Sequence, residues 1–405
     1  MKIYSFCVAA VALMANAQRN TLRSRSSLPA ASFSRTQLGK RTKLANLRNY
    51  ISRYPKMQYK YMPRERQGGR KIVSPFATTT GYPDLEFEKD SKGRERLAFR
   101  ESGWKKWNWK GYNINYVQHG EKGTPIVFVH GFGAHAYHWR YQIPELAKNH
   151  RVYSICLLGY GWSDKDPEAP YSADLWAEQV ASFTRDVVGE SAVLVGNSIG
   201  AVTALAAAAS YPDIVKGLVM VNAAGRFGDM DANAKSAPIR VAAREELKPV
   251  SDEKQMGPLD ILKEKVADAI AAAIFYSTRF RIPVILKQVY VDPDQVDDQL
   301  VKSIQSPALD PNALGTFQSI YRAPGRSGAT VNQMMAALPQ SMKVLLLWGQ
   351  QDPWMQPEKA DQIMRICDAQ GLECEYVPLA AGHCPQDDNP TALNENLARW
   401  MKLNF

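Results

Sequence analysis

The chain has 405 residues, 45% of them hydrophobic, which suffices for a sizeable core and suits either several domains or one large domain with an insertion. The formal net charge of +10 sits at one end: residues 1–74 hold 16 Lys/Arg and one acid, Glu65, leaving 34 basic and 39 acidic residues in the remainder. That mildly acidic remainder excludes the charge balance of a nucleic-acid-binding protein, and five scattered cysteines exclude a disulfide framework.

Residues 1–17 combine Lys2, an apolar run and the small-x-small pattern Ala15-Asn16-Ala17, and read as a signal-like segment. Residues 18–74 are rich in Arg, Ser, Lys and Tyr, the composition of a transit-like, basic, disordered segment. The pair resembles the bipartite presequences of algae with secondary plastids, which implies delivery to the plastid (chloroplast). Ordinary entry to the secretory pathway is the alternative.

Order is expected from about Trp104, where Trp104, Trp107, Trp109, Tyr112 and Tyr116 are spaced among polar residues as in an opening antiparallel hairpin. An apolar run over 125–129 predicts a buried strand ending at His130-Gly131, and one over 152–158 ends at Gly159-Tyr160-Gly161. A helix over 173–188, a strand over 192–196, an Ala-rich helix over 201–210 and a strand over 217–221 follow. This alternation requires crossover connections and a mostly parallel sheet with helices on both faces. Residues 226–325 lack strand runs and hold helical patterns over 259–276 and 296–303, which predicts a helical cap or lid. The cap divides the core into residues 104–225 and 326–405. The second part supplies strands over 343–348 and 375–379 and helices over 357–369 and 390–403.

Gly196-Asn197-Ser198-Ile199-Gly200 is a Gly-x-Ser-x-Gly motif between a predicted strand and a predicted helix. A nucleophilic serine needs such a tight turn, with small neighbours, to raise its hydroxyl above the sheet edge. It also needs a base, and the base an orienting acid. Of six histidines only His383 lies C-terminal to Ser198. Asp352, just past a predicted strand end, fits the acid; Asp387 and Asp388 are rivals that follow the histidine. The oxyanion of acyl transfer needs backbone N–H donors, expected from Ile199 and from Phe132 in the loop His130-Gly131-Phe132-Gly133. His130 reads as a structural loop residue, and His135 and His138 as lining a pocket entrance or stacking on Trp139. No Cys/His set has zinc spacing, so neither metal nor cofactor is expected.

His130-Gly131-Phe132-Gly133, Leu157-Leu158-Gly159-Tyr160-Gly161-Trp162-Ser163, the Ser198 motif, Trp348-Gly349 with Asp352-Pro353-Trp354, and Ala381-Gly382-His383-Cys384-Pro385 resemble plastid α/β-hydrolases. The nearest named group is the plant and algal pheophytinase and chlorophyll dephytylase relatives. The resemblance runs from about residue 112 to the C-terminus. It implies the α/β-hydrolase fold and a serine hydrolase cleaving an ester-type acyl bond through an acyl-enzyme. Ile199 and Ala201 replace the Leu and final Gly of the pheophytinase motif Gly-Asn-Ser-Leu-Gly-Gly. Asn222-Ala223-Ala224-Gly225-Arg226-Phe227 differs from the Thr-Pro-Phe-Trp pattern there, which favours a paralogue. Dehalogenases and epoxide hydrolases of this scaffold use Asp where this chain has Ser198. Carbon–carbon bond hydrolases share the serine triad, and a slow-turnover, receptor-like binding module is the other alternative.

Ile274, Phe275, Tyr276, Phe280 and Ile282 in the cap either line a greasy entrance or pack the cap itself. An apolar small molecule or lipid, such as a plastid lipid or phytylated pigment, is the expected substrate. The basic leader allows peripheral membrane association.

Overall fold

The computed structural model describes residues 84–228, 258–322 and 329–405; the signal-like and transit-like segments and part of the cap lie outside them. An eight-stranded sheet forms the centre. In chain order its strands are β3 (Lys105–Trp109), β4 (Tyr112–His119), β5 (Ile126–Val129), β6 (Val152–Ile155), β7 (Ala192–Asn197), β8 (Val215–Val221), β9 (Lys343–Gly349) and β10 (Cys374–Leu379). Their spatial order is β10-β9-β8-β7-β5-β6-β4-β3. β4 pairs antiparallel with β3 on one side and with β6 on the other; the other pairs are parallel.

Strand residues alternate between two buried clusters, one on each face. Val127, Val129, Leu194, Leu218, Met220 and Leu346 enter one; Ile126, Phe128, Val193, Val195, Val219 and Leu345 enter the other. Burial on both faces is why the central strands read as unbroken apolar runs. The faces are covered by α1 (Gln142–Ala147), α2 (Ala173–Phe183), α3 (Ile199–Ser210) and three helices defined below.

The expected helix over 173–188 is α only to Phe183, and Thr184–Val188 is a π turn. The Thr184 hydroxyl donates to Val180 O at 2.9 Å, and Gly189 N–H closes the wider turn on Thr184 O at 3.0 Å. Order also begins earlier than Trp104. β1 (Phe87–Lys89) and β2 (Glu95–Leu97) form a separate antiparallel pair that buries Leu97 completely. Three-residue strands rich in charge carry no readable period, so this pair was invisible to pattern.

Between β8 and β9 the described insertion holds α4 (Pro258–Val289), α5 (Asp298–Gln305) and α6 (Ala313–Arg322), with α7 (Val331–Ala336) leading back to the sheet. The final turns are α8 (Glu358–Gln370), α9 (Pro385–Asp388) and α10 (Pro390–Asn404). Ile282 is buried, whereas Tyr276 and Phe280 are exposed. The chain runs from β5 to β6 on one side and then back to β7 on the other. The loops leaving β5 and β7 therefore diverge at one sheet edge and open a crevice there.

Candidate active site

β7 ends at Asn197 and α3 begins at Ile199, so one residue turns the chain. That residue, Ser198, has φ +56° and ψ −119°. A non-glycine residue held there costs about 1–3 kcal/mol, which the surroundings must offset. Ser198 N–H donates to Val221 O at 3.0 Å, and Ser198 O accepts from the Ala201 and Ala224 amides at 3.1 Å. The flanking glycines are required by space: a Cβ on Gly196 would lie 2.2 Å from Gly200 O, and one on Gly200 2.3 Å from Val129 O. Gly200→Ala is therefore expected to cost at least ~2 kcal/mol in urea unfolding, because backbone rather than a flexible side chain must yield.

The loop after β5 lies against this turn. A Cβ on Gly131 would sit 3.0 Å from Asn197 Oδ1 and 3.3 Å from Ser198 Cβ. The Ile199 amide is the first of α3, where no intrahelical acceptor exists. The Phe132 ring packs edge-on to Tyr160 and to Phe317 of α6. His130 holds this loop from beneath: Nδ1 bonds to Gly131 O at 2.8 Å, and Nε2 accepts from Leu157 N–H at 3.0 Å.

Asp352 follows β9 and His383 follows β10. His383 Nδ1 donates to Asp352 Oδ2 at 2.7 Å, which leaves Nε2 as the acceptor nitrogen. Burial alone would raise the Asp352 carboxyl, but the adjacent His383 and the Met355 and Trp354 amides outweigh it and hold the group below its ordinary value. Asn222 Nδ2 donates to Asp352 Oδ2 and Trp354 N–H to Oδ1, both at 2.7 Å. Asn197, next to Ser198, donates from Nδ2 to His383 O at 3.0 Å and so ties the two loops together. Among the described residues no hydrogen bond joins Ser198 Oγ to His383 Nε2. In free enzymes this bond is often open and tightens only with substrate. Ser198, Asp352 and His383 are all 4–5% exposed, so the arrangement is closed off from bulk water.

The rival acids are engaged elsewhere. Asp388 accepts from the Gly382, Val291 and Asp292 amides. His383 N–H donates to Val289 O at 2.8 Å, so the exit of α4 is bound directly to the histidine loop. Asp387 takes Arg140 Nε at 2.7 Å, with both side chains fully buried, and Arg140 Nη1 reaches Asp297 at 3.1 Å. Arg140→Met strands the fully buried Asp387 carboxylate, whereas Asp297 keeps its ion pair with Arg96, and is expected to cost about 3–5 kcal/mol in denaturant unfolding. Adding Asp387→Asn removes the stranded charge and recovers part of the loss; a double variant no more stable than the single one would contradict this.

His135 and His138 do not line an entrance or stack on Trp139, whose ring stacks on Phe128 instead. Both are buried and bind the insertion: His135 Nε2 to Ser303 O at 2.8 Å, His138 Nε2 to Tyr290 Oη at 2.9 Å. Burial pushes His130 and His138 down to about 4 and holds His135 well below its ordinary value. These groups are depressed from an ordinary value of 6.5, so the unfolded chain takes up their protons first. Stability should fall as pH drops from about 6.5 towards about 4, on the order of 1–2 kcal/mol for each histidine by pH 5. Chemical denaturation at pH 7 and pH 5 checks this.

Residues that pattern alone did not single out are Asn222, at φ +42°, and Trp354, whose ring lies 4.9 Å from that of His383. Their signal was position: each stands at or just beyond the end of a strand of the same sheet edge.

The Alpha/beta hydrolase family matches residues 126–396. Chloroplastic pheophytinase of Arabidopsis thaliana is 27% identical over 354 residues, covering 79% of this chain and 69% of the relative. The 2-hydroxymuconate semialdehyde hydrolase of Pseudomonas sp. (strain CF600) is 38% identical over 106 residues, 25% of this chain and 38% of that protein. Cfl2 of Burkholderia cenocepacia superposes with a TM-score of 0.58 at 21% identity, over 78% of this chain and all of that one. With a family match over most of the folded chain, and a parallel sheet whose strand ends carry the serine turn, this protein belongs to the alpha/beta hydrolase family and has its fold.

Proposed function

We propose that the chain is a serine hydrolase that cleaves an ester-type acyl bond of an apolar substrate. Ser198 is the nucleophile, His383 the base and Asp352 the orienting acid. His383 Nε2 takes the hydroxyl proton as Ser198 attacks the carbonyl. Asp352 holds the imidazole through Nδ1 and stabilises its charged form. The Phe132 and Ile199 amides receive the oxyanion, and water then releases the acyl group by the same base. The observation that carries this reading is the buried Asp352–His383 bond of 2.7 Å, tied through Asn197 to a serine held at positive φ.

An aromatic row supports an apolar substrate. Phe132 meets Phe317 at 6.0 Å, and Phe317 meets Phe275 of α4 at 5.5 Å, so the described insertion lays apolar surface over the oxyanion loop. The plastid is the proposed location, supported by the basic leader and the chloroplastic relative. A plastid lipid or a phytylated pigment meets both conditions. The stretch of likeness to a semialdehyde hydrolase favours carbon–carbon bond hydrolysis as the second reading.

The test is a time course on p-nitrophenyl esters of increasing acyl length. A burst equal to the enzyme concentration followed by steady turnover supports the esterase. A burst with no turnover supports a receptor-like module. Turnover of a dienone with neither supports the second reading.

A further inference from the structure

The outer face of α4 has the wrong chemistry for water. A surface helix normally turns polar residues outward. Here Val266, Ile270, Tyr276, Phe280, Val284 and then Val291, just past the helix end, are each 42–60% exposed. The first five recur at spacings of four or six and run the length of about five turns. From residue 269 to residue 289 there is no Asp or Glu, while Arg279, Arg281 and Lys287 are present. The nearest acid before that stretch, Asp268, is paired with Arg322 at 3.4 Å.

The helix is bent. Its halves Lys265–Thr278 and Phe280–Val289 meet at 83°. Pro283 accounts for the break, because it lacks the N–H that would bond the carbonyl four residues earlier, and its ring crowds that carbonyl. Among the described residues no single helix is long and apolar enough to cross a membrane, although the two halves together have the length and composition. An apolar face with basic flanks on a bent helix suits a position along the lipid–water boundary.

We infer that this face of α4 docks on the surface of a lipid bilayer bearing anionic headgroups. The charge decides between occupants. A second copy would bring one acid-free basic face against another. The N-terminal segment, with 16 cations and one acid over residues 1–74, would be repelled in the same way. Anionic lipid complements the cations, and acyl chains complement the apolar stripe. The inner side of the same helix carries Phe275, which leads through Phe317 to Phe132. A docked helix therefore presents a greasy path from the bilayer to Ser198. That last link rests on the esterase reading; the docking surface does not.

The experiment uses full-length Ser198→Ala protein, so that lipid cleavage cannot disturb the vesicles. It is mixed with vesicles of phosphatidylcholine alone or with added phosphatidylglycerol. Flotation is run at ~0.3 M salt, where attraction of the basic N-terminal segment is largely screened. The protein is expected to float with the anionic vesicles, and peptides covering 265–289 to gain protection from hydrogen exchange. Tyr276→Ser/Phe280→Ser/Val284→Ser should cut the floated fraction at least roughly threefold. The same substitutions placed in the parent chain should leave the melting temperature and hydrolysis of a short soluble ester unchanged. Equal flotation of the two proteins overturns the inference. So does protection confined to residues 1–74, or a dimer whose formation abolishes flotation. Because binding is read on the serine-less protein and ester turnover on the parent, failure of one is distinguishable from failure of the other.

Discussion

Ser198→Ala is expected to lower kcat/KM for p-nitrophenyl esters by roughly 10,000-fold or more, with the melting temperature little changed. The alanine keeps the backbone amide bonds to Val221, Ala201 and Ala224, so the turn itself survives. What disappears is the atom that forms the acyl bond in the proposed reaction. Residual activity would then come from polarisation of the carbonyl by the amides alone. The discriminating result is the burst: the variant should show none. A variant that retains both burst and turnover would move the nucleophile elsewhere.

Asp352→Asn should reduce kcat roughly 1,000- to 10,000-fold with a smaller change in KM. Asp352 is surrounded by donors: His383 Nδ1–H and Asn222 Nδ2 at Oδ2, and Trp354 N–H at Oδ1. An amide cannot serve them all. With its NH2 towards His383 it forces the proton onto Nε2, and the imidazole can no longer accept from the serine. With its oxygen towards His383 it sets a donor against the Trp354 amide and lacks the charge that steadies the imidazolium. Hydroxide should partly replace the base, so activity of the variant should climb with pH where the parent is flat. Equal kcat for variant and parent at neutral pH would show that Asp352 only shapes the turn.

The sheet was legible because its central strands are buried on both faces. Residues such as Val193, Leu194 and Val195 must all be apolar, and the alternation of such short runs with helix-length segments calls for a parallel sheet. The turn at Ser198 was legible because space admits only glycine at positions 196 and 200. Asp352 rather than Asp387 or Asp388 beside His383 follows from strand order, since β9 and β10 are neighbours with Leu379 opposite Gly349. Other contacts had no local signal. Asn222 holds Asp352 across 130 positions, and the Arg140–Asp387 pair spans 247. Such partners are set by how the insertion returns to the core, through Val289 O on His383 N–H and Asp388 on the amides after α4. The roles expected for His135 and His138 failed for the same reason: local spacing does not reveal that helices from far along the chain will cover them.

The most direct measurement is covalent. The folded protein is treated with a fluorophosphonate, digested, and its peptides are mapped by mass. One phosphonyl group per chain on Ser198 is expected, with none on the Ser198→Ala variant and slower uptake by Asp352→Asn. A folded protein that takes up no phosphonate, or carries it on a residue other than Ser198, would contradict acyl transfer at this turn.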